Sequence, residues 1–471
     1  MGQEIHQVQF TPEAFAEFER RLREETALLV AWEREGRLRG SGYRLGFELE
    51  GWLIDSEGQP TPHNQAFLRE LDDPLVVPEL ARFNFEINND PVDFGPGMFE
   101  RMRESLQARW RRCEAAARAL QMQALSIGIL PTVGREHLHL GNISPLARYQ
   151  ALNEQVFRLR EGAPIELHIE GVERLDHLHD DVMLESAATS LQLHLQVGSE
   201  QAVRAFNGAK ILSAPMVAIG ANSPFFLQHR LWEETRIPVF EQAVAVGASD
   251  YSRRVTFGIR YARESLLEAF LANLERYPVL LPDLMDSPPE ALAHLRLHNG
   301  TIWRWNRPLV GFDEQGRPHY RIEHRVVAAG TSALDVVADT AFFVGLMHYL
   351  IAREIPMEQE IPFERARDNF YRAARHGLAA EVDWQGHRTM LTKLILEELL
   401  PRAREGLAAI GLPGDEIDPP LEIIERRVAT GQTGAAWQRQ WIDRHGPDWR
   451  GLVLTYAERQ AGSRPVHEWQ P

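Results

Sequence analysis

The chain has 471 residues, 44% hydrophobic and 25% charged, the make-up of an ordinary globular protein with about three domain-sized units as a soft prior. Its 51 lysines and arginines against 67 aspartates and glutamates leave a formal net charge of −16, which argues against nucleic acid or an anionic membrane as the main partner. A single cysteine, Cys113, excludes internal disulfides and any cysteine-built zinc site.

The opening residues MGQEIHQVQF carry neither a basic n-region nor an apolar h-region, and His6 spoils a myristoylation signal. The longest apolar stretch, Ala338 to Ala352, is interrupted by Asp339 and His348 and is too short to span a bilayer. A soluble, cytoplasmic protein is expected. A charged helix over about 11–35 precedes RLGFELEGWLID, an alternating strand, and residues 56–80 read as loop and turn. A second strand, ARFNFEIN, leads into a helix starting near Gly97. There Phe99, Met102, Leu106, Trp110, Cys113, Ala117 and Leu120 draw one apolar stripe at intervals of three or four. On that stripe Cys113 reads as a small buried hydrophobe rather than a nucleophile. Further strands are expected at MQALSIGIL, PIELHIE, SLQLHLQV and HYRIEHRVV, with helices near 199–217, 229–246, 262–276 and 331–352. From about 361 onward only helices are expected, near 361–376, 388–410, 416–429, 434–444 and 448–460, with Gly377 and Gly431 as stops. The fold class is α+β: a mainly antiparallel sheet with helices on one side, not a regular βαβ alternation.

The chemistry lies in what alternates with the apolar residues. In the first strand Leu45, Phe47, Leu49 and Leu53 share one face, which leaves Arg44, Gly46, Glu48, Glu50 and Trp52 on the other. In the second, Phe83, Phe85 and Ile87 oppose Arg82, Asn84, Glu86 and Asn88. Near 190, Leu191, Leu193, Leu195 and Val197 oppose Gln192, His194 and Gln196. Near 320, Ile322 and Val326 oppose Arg321, Glu323 and Arg325. A solvated sheet face explains any one strand. Yet glutamate and asparagine are depleted in strands, and carboxylates at i and i+2 repel unless cations sit between them. If the four strands share a sheet, Glu48, Glu50, Glu86, Glu323 and His194 gather together, an oxygen-rich set that suits Mg²⁺ or Mn²⁺.

No phosphate-cradling GxxxxGK[ST] loop and no GxGxxG follows a strand. His137, His139, His177 and His179 read as loop residues and offer an alternative hydrolytic metal centre. Ser144 and Ser223 lack a nucleophile-elbow context. Trp303 and Trp305 are balanced between packing and ligand stacking.

At GFELEGWLID the sequence resembles glutamate–cysteine ligase family 2, carboxylate–amine ligases related to glutamine synthetase. Further similarities follow in the family's order: FNFEIN, SPLARYQAL, LQLHLQV, AIGANSPFF, HNGTIWRWNRP, IEHRVVAAGTSALDVVA and RAARHGL, together spanning about 43–380. The resemblance implies a curved, glutamine-synthetase-like sheet whose concave face binds ATP and Mg²⁺ (or Mn²⁺). It points to Glu48, Glu50, Glu86, His194 and Glu323 as metal ligands and to Arg307 and Arg325 as catalytic residues. Arg148 and Asn222 would border the nucleotide or substrate. It divides the chain into a catalytic domain, 1–385, and a helical C-terminal extension, 386–471. The expected partners are small-molecule amino-acid substrates such as glutamate and cysteine, as in glutathione biosynthesis. No nucleic-acid or membrane partner is expected, and a homo-oligomer is left open. The rivals are a guanido-kinase-like phosphotransferase and a metal-dependent hydrolase.

Overall fold

The computed structural model describes residues 4–39, 42–246 and 253–471. Its strands, in chain order, begin with β1 (Arg44–Ile54), β2 (Val76–Pro78), β3 (Asn84–Asn88), β4 (Val92–Asp93) and β5 (Gln123–Leu125). Next come β6 (Ile165–Glu170), β7 (Arg174–His179), β8 (Ser190–Val197), β9 (Phe225–Phe226) and β10 (His229–Arg230). The last are β11 (Asn306–Phe312), β12 (Pro318–Ala328), β13 (Glu381–Trp384) and β14 (His387–Met390). One antiparallel sheet runs β11-β12-β8-β1-β3-β2, and the short β4 and β5 pair with the two ends of β1. The four strands with polar faces are therefore consecutive neighbours.

Alternation explains the layers. Leu45, Phe47, Leu49, Phe85, Ile87, Leu191, Leu193, Leu195 and Ile322 are all nearly inaccessible, so one sheet face is continuous core. The buried helices Ser199–Ile219 and Ala333–Ala352 belong to that core. Among the described residues, Ala333–Ala352 is the one helix long and apolar enough to cross a membrane, but 83% of its apolar window is buried inside the protein. It starts at Ser332, whose hydroxyl accepts a hydrogen bond from the Asp335 amide. The stripe on helix Met98–Ala119 is buried as its spacing predicts, and burial pushes the Cys113 thiol up to about 12, far from any thiolate role.

Several elements depart from expectation. The strand expected at MQALSIGIL survives only as Gln123–Leu125. PIELHIE does form β6, but it pairs with β7 in a separate hairpin instead of joining the main sheet. The helix expected over 229–246 starts at Arg236, because His229 and Arg230 are drawn into pairing with β9. Within the helical C-terminal region, β13 and β14 form a hairpin whose two linking residues, Gln385 (φ 51°) and Gly386 (φ 81°), are both left-handed. That geometry twists with the strands it joins, but Gln-Gly is a weaker sequence signal for it than Asn-Gly.

The helices after residue 386 are keyed into the rest of the molecule. Helices Ala333–Ala352 and Leu400–Ala409 cross at Gly345 and Gly406, where a methyl group on either would run into the opposing backbone. Arg427, 1% exposed, donates to Asp335 at 2.8 Å, to Asp339, and to the Ile219 carbonyl at 3.1 Å. Gln460 is tied to the Ser126 backbone in both directions, at 2.8 and 2.9 Å. Truncating Arg427 would leave two buried carboxylates without a counter-charge. Arg427→Ala is expected to destabilise the fold by about 3–5 kcal/mol, read as a lowered Tm in thermal denaturation.

Candidate active site

The polar face of the sheet forms the floor of a cavity of about 570 Å³, within the range of small-molecule sites. Strand register builds it. Glu50 lies directly opposite Glu86 across β1 and β3, and Glu323 lies opposite His194 across β12 and β8. Because side chains alternate, Glu48 and Glu50 both face inward from β1. Glu48, Glu50, Glu86, His194, Glu323, Arg307, Arg325 and Arg148 all line the cavity. Eight of the nine residues singled out from the sequence therefore meet in one place.

Two groups of metal-ligating atoms stand there, each with its atoms within 4.8 Å of one another: Glu48, His194 and Glu323, and Glu50, Glu79 and Glu86. In the first, His194 Nε2 lies 3.4 Å from Glu48 and 3.8 Å from Glu323. The imidazole is only 7% exposed, yet neither ring nitrogen has a hydrogen-bond partner, which is costly unless something else occupies them. Arg307 grips Glu323 through two hydrogen bonds of 2.8 and 2.9 Å, and Arg325 reaches it at 3.3 Å. Burial raises the Glu323 carboxyl, but Arg307 and then Arg325 outweigh it and hold the group down to about 2.

The second group has the opposite character. Burial, and then the Glu86 charge, push Glu50 up to about 7 despite hydrogen bonds from the Ser190 amide (2.6 Å) and Gln192 (2.9 Å). Burial, and then Glu50, do the same to Glu79, also to about 7. Glu86 is raised well above the carboxylate range by burial and then by Glu48. Three carboxylates facing one another in a buried cavity favour protons or a cation. An imidazole without a hydrogen bond beside one acidic pair, and an under-neutralised acidic trio beside it, are a donor set that suits hard divalent cations.

Outside these groups, Arg148 donates to the Tyr149 hydroxyl at 2.6 Å, lies over that ring at 4.5 Å, and sits 3.7 Å from the Glu4 carboxylate. Trp303 lines the cavity, whereas Trp305 is buried and donates to Glu241 at 2.7 Å, so the pair divides between lining and packing. Asn222 is the residue the cavity does not include. It is 1% exposed, donates to the Ala329 carbonyl and the Tyr456 hydroxyl at 2.8 Å each, and accepts from Gln438 at 2.9 Å. Its side chain ties the C-terminal helices to the sheet.

The alternative histidine centre does not assemble. His177 and His179 lie on β7, not in a loop, and His179 is held by Asp181 at 2.7 Å. His137 and His139 cap nearby turns by accepting from the Gly134 and Gly141 amides. Among the described residues, none of the four belongs to a group of three ligands. Sequence reasoning missed Glu79, just past the three-residue strand β2, and Glu185, on the short turn of helix Val182–Ala187. Neither element is long enough to show a period.

This fold is that of carbon–nitrogen ligases. Glutamate–cysteine ligase from Francisella tularensis, solved in complex with AMP, matches with a TM-score of 0.58 at 11% identity, over 92% of this chain and 90% of that one. A bifunctional glutathione synthetase from Pasteurella multocida matches with a TM-score of 0.50 at 11% identity, over 92% of this chain and 54% of that one. The model of glutamate–cysteine ligase family 2 matches residues 44–460, and the chain belongs to that family of ATP-dependent carboxylate–amine ligases. The family match thus runs through the C-terminal helices, 80 residues past the end of the motifs legible in the sequence. No curated protein sequence matches the chain.

The raised carboxyls have a thermodynamic consequence. With folded values of about 7 for Glu50 and Glu79 against an ordinary 4.5, the folded protein keeps protons that the unfolded chain has released. Their contribution to stability therefore falls as pH rises through that interval. Thermal denaturation in a chelator is expected to show that fall between about pH 5 and pH 7, and Glu50→Gln to make it shallower.

Proposed function

We propose that the chain joins a carboxylate, glutamate through its γ-carboxyl, to an amine such as cysteine, by way of an acyl phosphate made at the expense of ATP. The observation that carries this reading is the pairing of two three-ligand groups with Arg307 and Arg325 on one cavity wall. In the first step an oxygen of the substrate carboxylate attacks the γ-phosphorus, and the bond to the bridging oxygen breaks to release ADP. In the second, the amine nitrogen attacks the activated carbonyl carbon and phosphate leaves. Of the two protons an ammonium loses on the way, one departs with phosphate and the other goes to solvent.

Glu48, His194 and Glu323 would hold one divalent cation, and Glu50, Glu79 and Glu86 a second. Bound there, Mg²⁺ or Mn²⁺ would neutralise phosphate charge and polarise the γ-phosphoryl group. The protein's own part is positioning and charge. Arg325 supplies fixed positive charge beside the place where charge moves from carboxylate to phosphate. Arg307 orients Glu323 and keeps it ionised. Arg148 offers a guanidinium at the edge of an otherwise acidic region, suited to a carboxylate of the substrate.

The test is purified protein with Mg-ATP, glutamate and a panel of amines including cysteine. ADP and inorganic phosphate are expected together, dependent on both substrates. A phosphorylated acceptor without free phosphate would indicate a kinase instead. Glu48→Ala and Glu323→Ala are each expected to abolish turnover while circular dichroism stays unchanged; activity retained in both would overturn the site. In a separate titration followed by electron paramagnetic resonance, His194→Ala is expected to weaken Mn²⁺ binding by about tenfold or more.

A further inference from the structure

An amine substrate reaches the enzyme as an ammonium ion near neutral pH, so the cavity must receive a cation besides any metal. The acidic side chains lining it are Glu48, Glu50, Glu79, Glu86, Glu185 and Glu323. Five of them fall into the two metal-ligand groups, and Glu185 stands outside both. It is carried on helix Val182–Ala187, whose first turn is pinned by Asp181 accepting from the Met183 amide at 2.9 Å. Its carboxylate has no hydrogen bond or ion pair among the described residues; what it feels is burial, the Glu50 charge, and the more favourable field of Arg325. Its own charge acts in turn on Glu79 and on the Tyr149 hydroxyl, the two groups that also feel Arg148. Glu185 and Arg148 both line the cavity, and neither belongs to a metal-ligand group. In the same cavity His194 keeps two buried nitrogens without hydrogen-bond partners, polar atoms that a ligand could satisfy.

We infer that Glu185 is the specificity residue for the amine substrate: its carboxylate takes the ammonium group and so selects cationic amines and sets them beside the activated carbonyl. This rests on the ligase reading proposed above. The contribution is binding. Among the described residues no cation pairs with Glu185, and an arriving ammonium supplies that counter-charge.

The experiment compares two nucleophiles in the full-length protein. Hydroxylamine is mostly uncharged near neutral pH and traps an acyl phosphate as a hydroxamate, whereas the natural class of amine is cationic. Glu185→Gln is expected to raise KM for the cationic amine by roughly tenfold to a hundredfold, while hydroxamate formation stays within about twofold of wild type. Glu185→Asp, which keeps the charge, is expected to fall between. The Mg²⁺ concentration needed for half-maximal rate is expected to be unchanged in both variants. Equal losses with the two nucleophiles, or a raised Mg²⁺ requirement, would overturn the inference, because Glu185 would then be structural or a metal ligand. If wild-type protein forms no hydroxamate from any carboxylate, the ligase reading itself fails, and the two failures are told apart.

Discussion

The structure depends on confining negative charge that the protein does not neutralise by itself. Glu50 and Glu86 sit directly opposite each other on adjacent strands, with Glu79 joining them, in a cavity where burial already disfavours ionisation. Like charges across a strand pair destabilise a sheet. The rest of the molecule tolerates the arrangement because the other face of the same strands is packed and apolar apart from the buried His324. One set of strands thus holds the fold together on one side and stores electrostatic repulsion on the other.

The two acidic groups differ in what protein charge surrounds them, and that difference organises the chemistry. Around Glu323, two guanidiniums over-compensate burial and keep the carboxylate ionised. Around Glu50 and Glu79, burial and mutual repulsion win, so the groups hover between protonated and ionised near neutral pH. The first half is set before any ligand arrives, and the second is left to be completed by one. The arginines Arg148, Arg296, Arg307, Arg321 and Arg325 share the cavity wall with these carboxylates, so both signs of charge face whatever binds there.

The C-terminal helices belong to this picture as a brace. Asn222, Gln438, Tyr456 and Gln460 form a buried hydrogen-bonded seam between helices Gly434–His445 and Trp449–Ala461 and the segments after β5 and β12. Arg427 closes the adjoining seam by pairing with Asp335 and Asp339 on the central helix. Buried polar networks of this kind are costly unless complete. The hydrogen bonds made here fix how the helices sit on the sheet, although Gln438 Oε1 and Arg427 Nε keep no hydrogen-bond partner. The family match runs through residue 460 and so includes most of these helices.

The sequence by itself determined which faces the strands would present. Period-two alternation is a local property, so Glu48, Glu50, Glu86, His194 and Glu323 could be assigned to one polar surface before any contact was known. The same locality made the stripe on helix Met98–Ala119, the burial of Cys113 and the helix stops at Gly377 and Gly431 legible. Tertiary structure alone decided register, which set Glu50 against Glu86 and divided the five candidate ligands between two groups. It also supplied Glu79 and Glu185 from elements too short to carry a period, and it buried Asn222 in hydrogen bonds outside the cavity. Those outcomes depend on contacts between residues distant in the chain, and a pattern confined to neighbours carries no information about where distant strands and turns will meet.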